Sequence, residues 1–107
     1  MISIIIRTYN ESKYINNLLT MISKQDINIK YEVIIVDSDS SDNTVEIAKN
    51  FSFVKIISIR KEDFSYGYAM NIGISNSKGK VIVAISGHCD PVDIHWLHNL
   101  TKPIFED

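Results

Sequence analysis

Four short polar clusters hold most of the side chains able to do chemistry: Thr8-Tyr9-Asn10-Glu11, Asp37 to Asp42, Arg60 to Asp63, and Ser86 to Asp90. Tyr9 offers a ring that can stack on a flat heterocycle, while Thr8 and nearby backbone amides can hold its edge. Asp37-Ser38-Asp39 closes an apolar run. A carboxylate there can accept from a base N–H or ribose hydroxyls, or bind a cation. Arg60 and Lys61 can neutralise phosphates. His88, Cys89 and Asp90 are of the types that ligate divalent metals. Each cluster also has a plainer reading. The first is a turn with a helix cap, Asn10 or Ser12 serving the cap. The second places acids near a positive helix end, with Asp42 and Asn43 capping. The basic pair reads as solvated loop charge, and Phe64, Tyr66 and Tyr68 as loop anchors in the core.

Several sites are excluded by spacing. Counting from Asp37, a calcium loop needs Gly where Asp42 stands and Glu where Ala48 stands. The single cysteine, Cys89, rules out an internal disulfide and a closed zinc site of paired cysteines. It also favours a reducing compartment. No Gly-x-Gly-x-x-Gly or Walker-type loop follows the first apolar run, and no Gly-x-Ser-x-Gly elbow occurs. His95 and His98 stand three apart on the last helical stretch, where a wet face explains them better than a site shared with His88.

The elements that position these clusters follow from periodicity. Apolar, β-branched runs predict strands at Ile2–Arg7, Tyr31–Val36, Phe53–Ile59 and Lys80–Ile85. Helical spacing places helices over Tyr14–Ile22, Val45–Phe51 and Ala69–Ser77, with Gly79 as a helix stop. A last helix starts near Val92, and Pro103 ends it. Continuous apolar strands separated by helices imply a mostly parallel sheet covered on both faces. Right-handed crossovers bring all strand C-terminal ends to one edge. Open α/β sheets bind ligands along that edge, and the four polar clusters fall there. Asp37 closes its strand and points toward that shared edge.

The 107 residues fit one α/β domain, 1–107. A composition of 45% hydrophobic and 22% charged residues rules out disorder. A net charge of −2 offers no basic surface for nucleic acid. The apolar runs, at most about six residues, are too short to span a membrane. No basic region or cleavage site flanks Ile2–Ile6, so no signal peptide is expected.

In this order the clusters resemble the donor-binding half of family-two glycosyltransferases of the GT-A fold. Ile4 to Glu11 is similar to that family's first strand and loop, with Arg7 in place of the usual Pro. Tyr31 to Thr44 resembles its second strand and acidic turn, commonly Asp-Asp-Gly-Ser-Thr-Asp. Asn71-Ile72-Gly73-Ile74, Lys78-Gly79 and Asp90 to Leu97 match later segments. The resemblance implies a three-layer, Rossmann-like fold whose sheet is incomplete in this chain. It implies a nucleoside-diphosphate-sugar donor and a saccharide or lipid-linked acceptor. Thr8, Tyr9 and Glu11 would contact base and ribose. Asp37 would fix the base, with Ser38 replacing the family's second acid and Asp39 standing where Gly is usual. Asn71 would face nucleotide or sugar, and Lys61 the diphosphate.

The family's Asp-x-Asp metal motif aligns with Ser86-Gly87-His88, so both carboxylates are gone. His88 would ligate Mg²⁺ or Mn²⁺, or hydrogen-bond the diphosphate directly. A subset of the family is similar in having Ser, a small residue and His with Pro nearby, beside a loop like Lys61–Ser65. The implied reaction is sugar transfer with inversion, in cell-surface polysaccharide synthesis at the cytoplasmic side of a membrane. The catalytic base is expected beyond Asp107, in a longer enzyme. An incomplete sheet would expose an edge, and self-association is expected from it. Two rival readings stand beside this one. One is a haloacid-dehalogenase-like phosphohydrolase using Asp37 and Asp39; the other is a non-catalytic nucleotide-binding domain.

Overall fold

The computed structural model describes residues 1–105. Four parallel strands, β1 (Ile2–Thr8), β2 (Tyr31–Asp37), β3 (Val54–Ser58) and β4 (Val81–Ser86), form one sheet in the order β3-β2-β1-β4. The helices are α1 (Ile15–Ser23), α2 (Thr44–Ala48), α3 (Tyr66–Ser75) and α4 (Trp96–Phe105), with a 3₁₀ turn at Lys61–Asp63.

β1 is central, and its apolar run is the reason. Ile2, Ile4, Ile5 and Ile6 are fully buried, which only a strand covered on both faces can achieve. Burying each isoleucine contributes about 1.5–3 kcal/mol relative to leaving it in water. Ile2, Ile4 and Ile6 face a core made with Ile15, Leu18, Leu19 and Ile22 of α1, Ala48 of α2 and Leu97 of α4. Ile5 faces the other way, against Ile34, Val36, Ile59 and Ala69 of α3. These two cores make the expected three layers. Gly73 lets α3 approach this second face: a Cβ there would stand 2.6 Å from Ile5 Cγ2.

The element boundaries depart from the sequence expectations in several places; α2, for one, ends at Ala48 and stops short of Phe51. α1 has no side-chain cap from Asn10 or Ser12; both Tyr14 and Ile15 donate their N–H to the Glu11 carbonyl instead. α3 begins at Tyr66, because the Ser65 hydroxyl accepts from the Tyr68 N–H and caps a helix there. Tyr66 and Tyr68 are therefore helical, and with Phe64 they are exposed rather than core anchors. Gly79 lies beyond the helix end and is a close-approach residue, its N–H donating to Ser3 Oγ at 2.8 Å. α4 starts at Trp96, since Asp93 closes a turn on the His95 N–H. It runs through Pro103, which forfeits one backbone bond near the helix end without stopping it. Leu97 is fully buried and Trp96 packs against the same core. No helix among the described residues is long and apolar enough to cross a membrane.

Candidate functional site

Thr8 and Asp37 end their strands as register partners, so their side chains meet at the sheet edge. The Thr8 hydroxyl donates to Asp37 Oδ1 at 2.6 Å, and the Ser40 hydroxyl donates to the same oxygen at 2.6 Å. The Ser40 N–H donates to Oδ2 at 2.9 Å. Asp37 is 2% exposed. The carboxylate expected to reach a ligand accepts all three of these bonds, from β1 and from its own loop. Neither carboxylate of the phosphohydrolase reading is poised: Asp37 is buried in these bonds, and Asp39 sits exposed on the turn.

The two loops beyond β1 and β2 are laced together. Asn10, held in the left-handed region at φ 52°, accepts from the Ser41 and Asp42 N–H groups through Oδ1 at 2.8 and 3.3 Å. Its own N–H donates to Ser40 Oγ at 2.9 Å. Thr44 Oγ1 accepts from the Glu11 N–H, and Asp42 Oδ2 from the Ser12 N–H. Asp42 also caps α2 through the Thr44 N–H, so Asp42 and not Asn43 supplies the side-chain cap. Burial alone would raise the Asp42 carboxyl. The donors of Thr44 and Ser12 outweigh it and hold the group at about 2.

Above these loops opens a cavity of about 350 Å³. Thr8, Tyr9, Glu11, Ser38, Lys61 and His88 line it, six of the nine residues singled out from sequence. Asp37, Asp39 and Asn71 do not. Asn71 is exposed on α3, and Asp39 sits exposed at φ 61°. Arg7, Phe64 and Ser86 complete the lining. The signal for Arg7 is visible in the sequence: one cation closes an otherwise uncharged strand, Ile2-Ser3-Ile4-Ile5-Ile6.

The charged groups have definite partners. His88 Nδ1 lies 3.3 Å from Glu11 Oε1, and its Nε2 lies 3.2 Å from Ser86 Oγ. Gly87 permits this approach, because a Cβ there would fall 2.7 Å from Glu11 Cγ. The Lys61 ammonium stands 5.1 Å from the Tyr9 ring centroid. The Arg7 guanidinium stands 4.5 Å from the Tyr66 centroid. Glu11 and His88 are the candidate metal ligands. Among the described residues, no group of three or more such side chains forms a closed metal site. Cys89 and Asp90 are not part of the lining, and burial pushes the Cys89 thiol up. His95 and His98 border a separate hollow with Asp26.

A protein-family model, "Glycosyl transferase family 2", matches residues 3–107. "Glycosyltransferase AglE" of Haloferax volcanii is 37% identical over 101 residues, covering 90% of this chain and 33% of the relative. The crystal structure of residues 1–349 of Staphylococcus aureus TarS with UDP-GlcNAc superposes at a TM-score of 0.85 and 26% identity. It covers 98% of this chain and 31% of that one. The mannosyltransferase PcManGT of Pyrobaculum calidifontis, solved with GDP-Man and Mn²⁺, shares the fold at a TM-score of 0.72 and 24% identity, over 87% of this chain and 29% of that one. The chain spans about a third of the length of these relatives. With its parallel sheet and helices on both faces, this chain belongs to glycosyl transferase family 2 and has the GT-A fold of those enzymes.

Proposed function

We propose that this domain binds the nucleoside diphosphate of a sugar donor for an inverting glycosyltransferase. The observation that carries the reading is the gathering of Thr8, Tyr9, Glu11, Ser38, Lys61 and His88 around one cavity at the C-terminal edge of the sheet. Such an edge is where open α/β sheets take their ligands. The UDP-GlcNAc held by TarS supports a nucleotide-sugar ligand.

In this reading Tyr9 stacks on the base, and Thr8 and Ser38 bound its edge. Asp37 acts through Thr8, keeping the first loop in place. Lys61 and His88 face the diphosphate, whose departure needs positive charge or hydrogen-bond donors. Glu11 fixes the orientation of the His88 ring. Asp39 and Asn71 receive no contact in this assignment. A divalent cation would take Glu11 and His88 from this chain, a carboxylate and an imidazole that suit Mn²⁺ better than Mg²⁺. Bound there, it would supply charge for the leaving diphosphate. The base that deprotonates the acceptor hydroxyl is assigned to sequence beyond Asp107. The acceptor is a saccharide or lipid-linked glycan of a cell-surface polymer, met at the cytoplasmic face of a membrane. The open β4 edge is the surface for self-association.

Calorimetric titration with UDP, dTDP and GDP, with and without Mn²⁺, tests the reading. One diphosphate binds, and Tyr9→Ala weakens it by about five- to a hundredfold, the range of a base–aromatic stack. Absence of binding by all three refutes it. Sugar transfer by the full-length protein separates an enzyme from a nucleotide-binding domain without turnover.

A further inference from the structure

We propose that Arg7 is itself a ligand of the donor diphosphate, placing a fixed positive charge of this chain at the cavity wall. The inference rests on the donor-site reading above and deepens it. Arg7 is the only charged residue of β1. Its side chain enters the cavity on the α3 side of the sheet, where Tyr66 lies beneath the guanidinium at 4.5 Å. Its Nε is buried and has no hydrogen-bond partner. The ring face attracts the charge but leaves the Nε–H without an acceptor.

The acids nearby are already engaged. The Asp37 carboxylate holds Thr8 and Ser40, and the Glu11 carboxylate faces His88. Ser86, the β4 partner of Arg7 in register, is uncharged. Among the described residues, Arg60 pairs with Asp63, His88 contacts Glu11 and His95 contacts Asp26, and none of these contacts includes Arg7. A half-buried guanidinium without an acid is costly unless something else supplies the negative charge. Within the lining, Arg7 and Lys61 outnumber the single carboxylate of Glu11. That balance calls for an anion. The planar fork of a guanidinium fits two phosphate oxygens at once, which the point charge of Lys61 does not.

The test uses the nucleoside diphosphate that binds the unmodified chain, the matching nucleoside, and inorganic pyrophosphate, all in EDTA. Arg7→Gln weakens the diphosphate by about ten- to a hundredfold, the loss of one or two charge-assisted hydrogen bonds. It leaves the nucleoside unchanged, and Arg7→Lys recovers part of the loss. In the unmodified chain the Arg7 Nε–H resonance shifts on adding pyrophosphate and stays put on adding the nucleoside. That readout stands even if a variant fails to fold. Diphosphate affinity within about twofold in folded Arg7→Gln overturns the proposal, as does a silent Arg7 resonance. An equal loss for the nucleoside moves Arg7 to the base and overturns it too. If the unmodified chain binds no diphosphate, the donor-site reading fails and this inference fails with it. Failure confined to the Arg7 variants leaves that reading intact.

Discussion

Replacing Asp37 by Ala separates a structural carboxylate from a ligand-reading one. The substitution removes three hydrogen bonds, from the Thr8 hydroxyl, the Ser40 hydroxyl and the Ser40 N–H. Bonds to a charged acceptor are worth about 1.5–3 kcal/mol each in favourable cases, but the exposed side recovers water. Ser40 is half-buried and regains solvent. Thr8 is 3% exposed and does not. Its hydroxyl is left unsatisfied at a cost of about 1–3 kcal/mol, to which the Ser40 bonds add roughly one more. The expected loss is therefore about 2–4 kcal/mol, a large share of the 5–15 kcal/mol typical of a domain. Asp37→Asn keeps one carbonyl acceptor but turns an amide donor toward another donor. Its expected loss is about 1–2 kcal/mol. Urea unfolding followed by circular dichroism reads both, with an unchanged slope showing that only stability moved. A loss below about 1 kcal/mol for Asp37→Ala, together with a tenfold or greater fall in nucleotide affinity, would refute the reasoning. The carboxylate would then serve the ligand and not the loop.

Two further outcomes concern the frame around the site. Asp42 is held at about 2 against an ordinary 3.8, a depressed acid. Its contribution is complete above about pH 4 and is lost as pH falls toward 2, amounting after solvent screening to roughly 1 kcal/mol. Unfolding midpoints measured across that window drop for the native chain and drop less for Asp42→Asn; parallel curves would contradict the assignment. Gly73→Ala gains about 1 kcal/mol of helix propensity but drives a Cβ to 2.6 Å from Ile5 Cγ2, inside a fully buried contact. Overpacking costs about 1–3 kcal/mol, so the net effect is a loss of roughly 1 kcal/mol in urea. A rise in midpoint would show that α3 is not seated tightly on β1.

The sheet was legible because its signal is redundant. Four β-branched runs, each followed by a polar cluster, admit few arrangements other than a parallel sheet with one ligand edge. The ends of α3 and α4 were less legible for local reasons. Ser65 caps a helix whose first turn, Tyr66-Gly67-Tyr68, reads as a loop. Pro103 stands so near the end of α4 that one missing backbone bond does not stop the helix. Within the site, chain order shows which residues reach the edge but not which of them satisfy each other. Asp37 looked free because Thr8 lies 29 residues away. Only the β1–β2 register brings that hydroxyl onto it. Arg7 shows as the one charge of an apolar strand, but there it reads as outward-facing, and only the position of α3 turns that face into a cavity wall.

If the cavity is the donor site proposed above, the lacing of the two loops bears on how its ligand preference can be re-engineered. Asn10 serves the backbone of the second loop, and Asp42 and Thr44 serve the backbone of the first. Neither loop is an independent cassette. Transplanting the first loop alone, without an Asn at this position, would strand the Ser41 and Asp42 amides. Transplanting the second alone would strand those of Glu11 and Ser12. Exchange of the two as a matched pair keeps the floor rigid while the rim is varied. The natural unit of recombination at this site is thus a pair of segments some thirty residues apart in sequence.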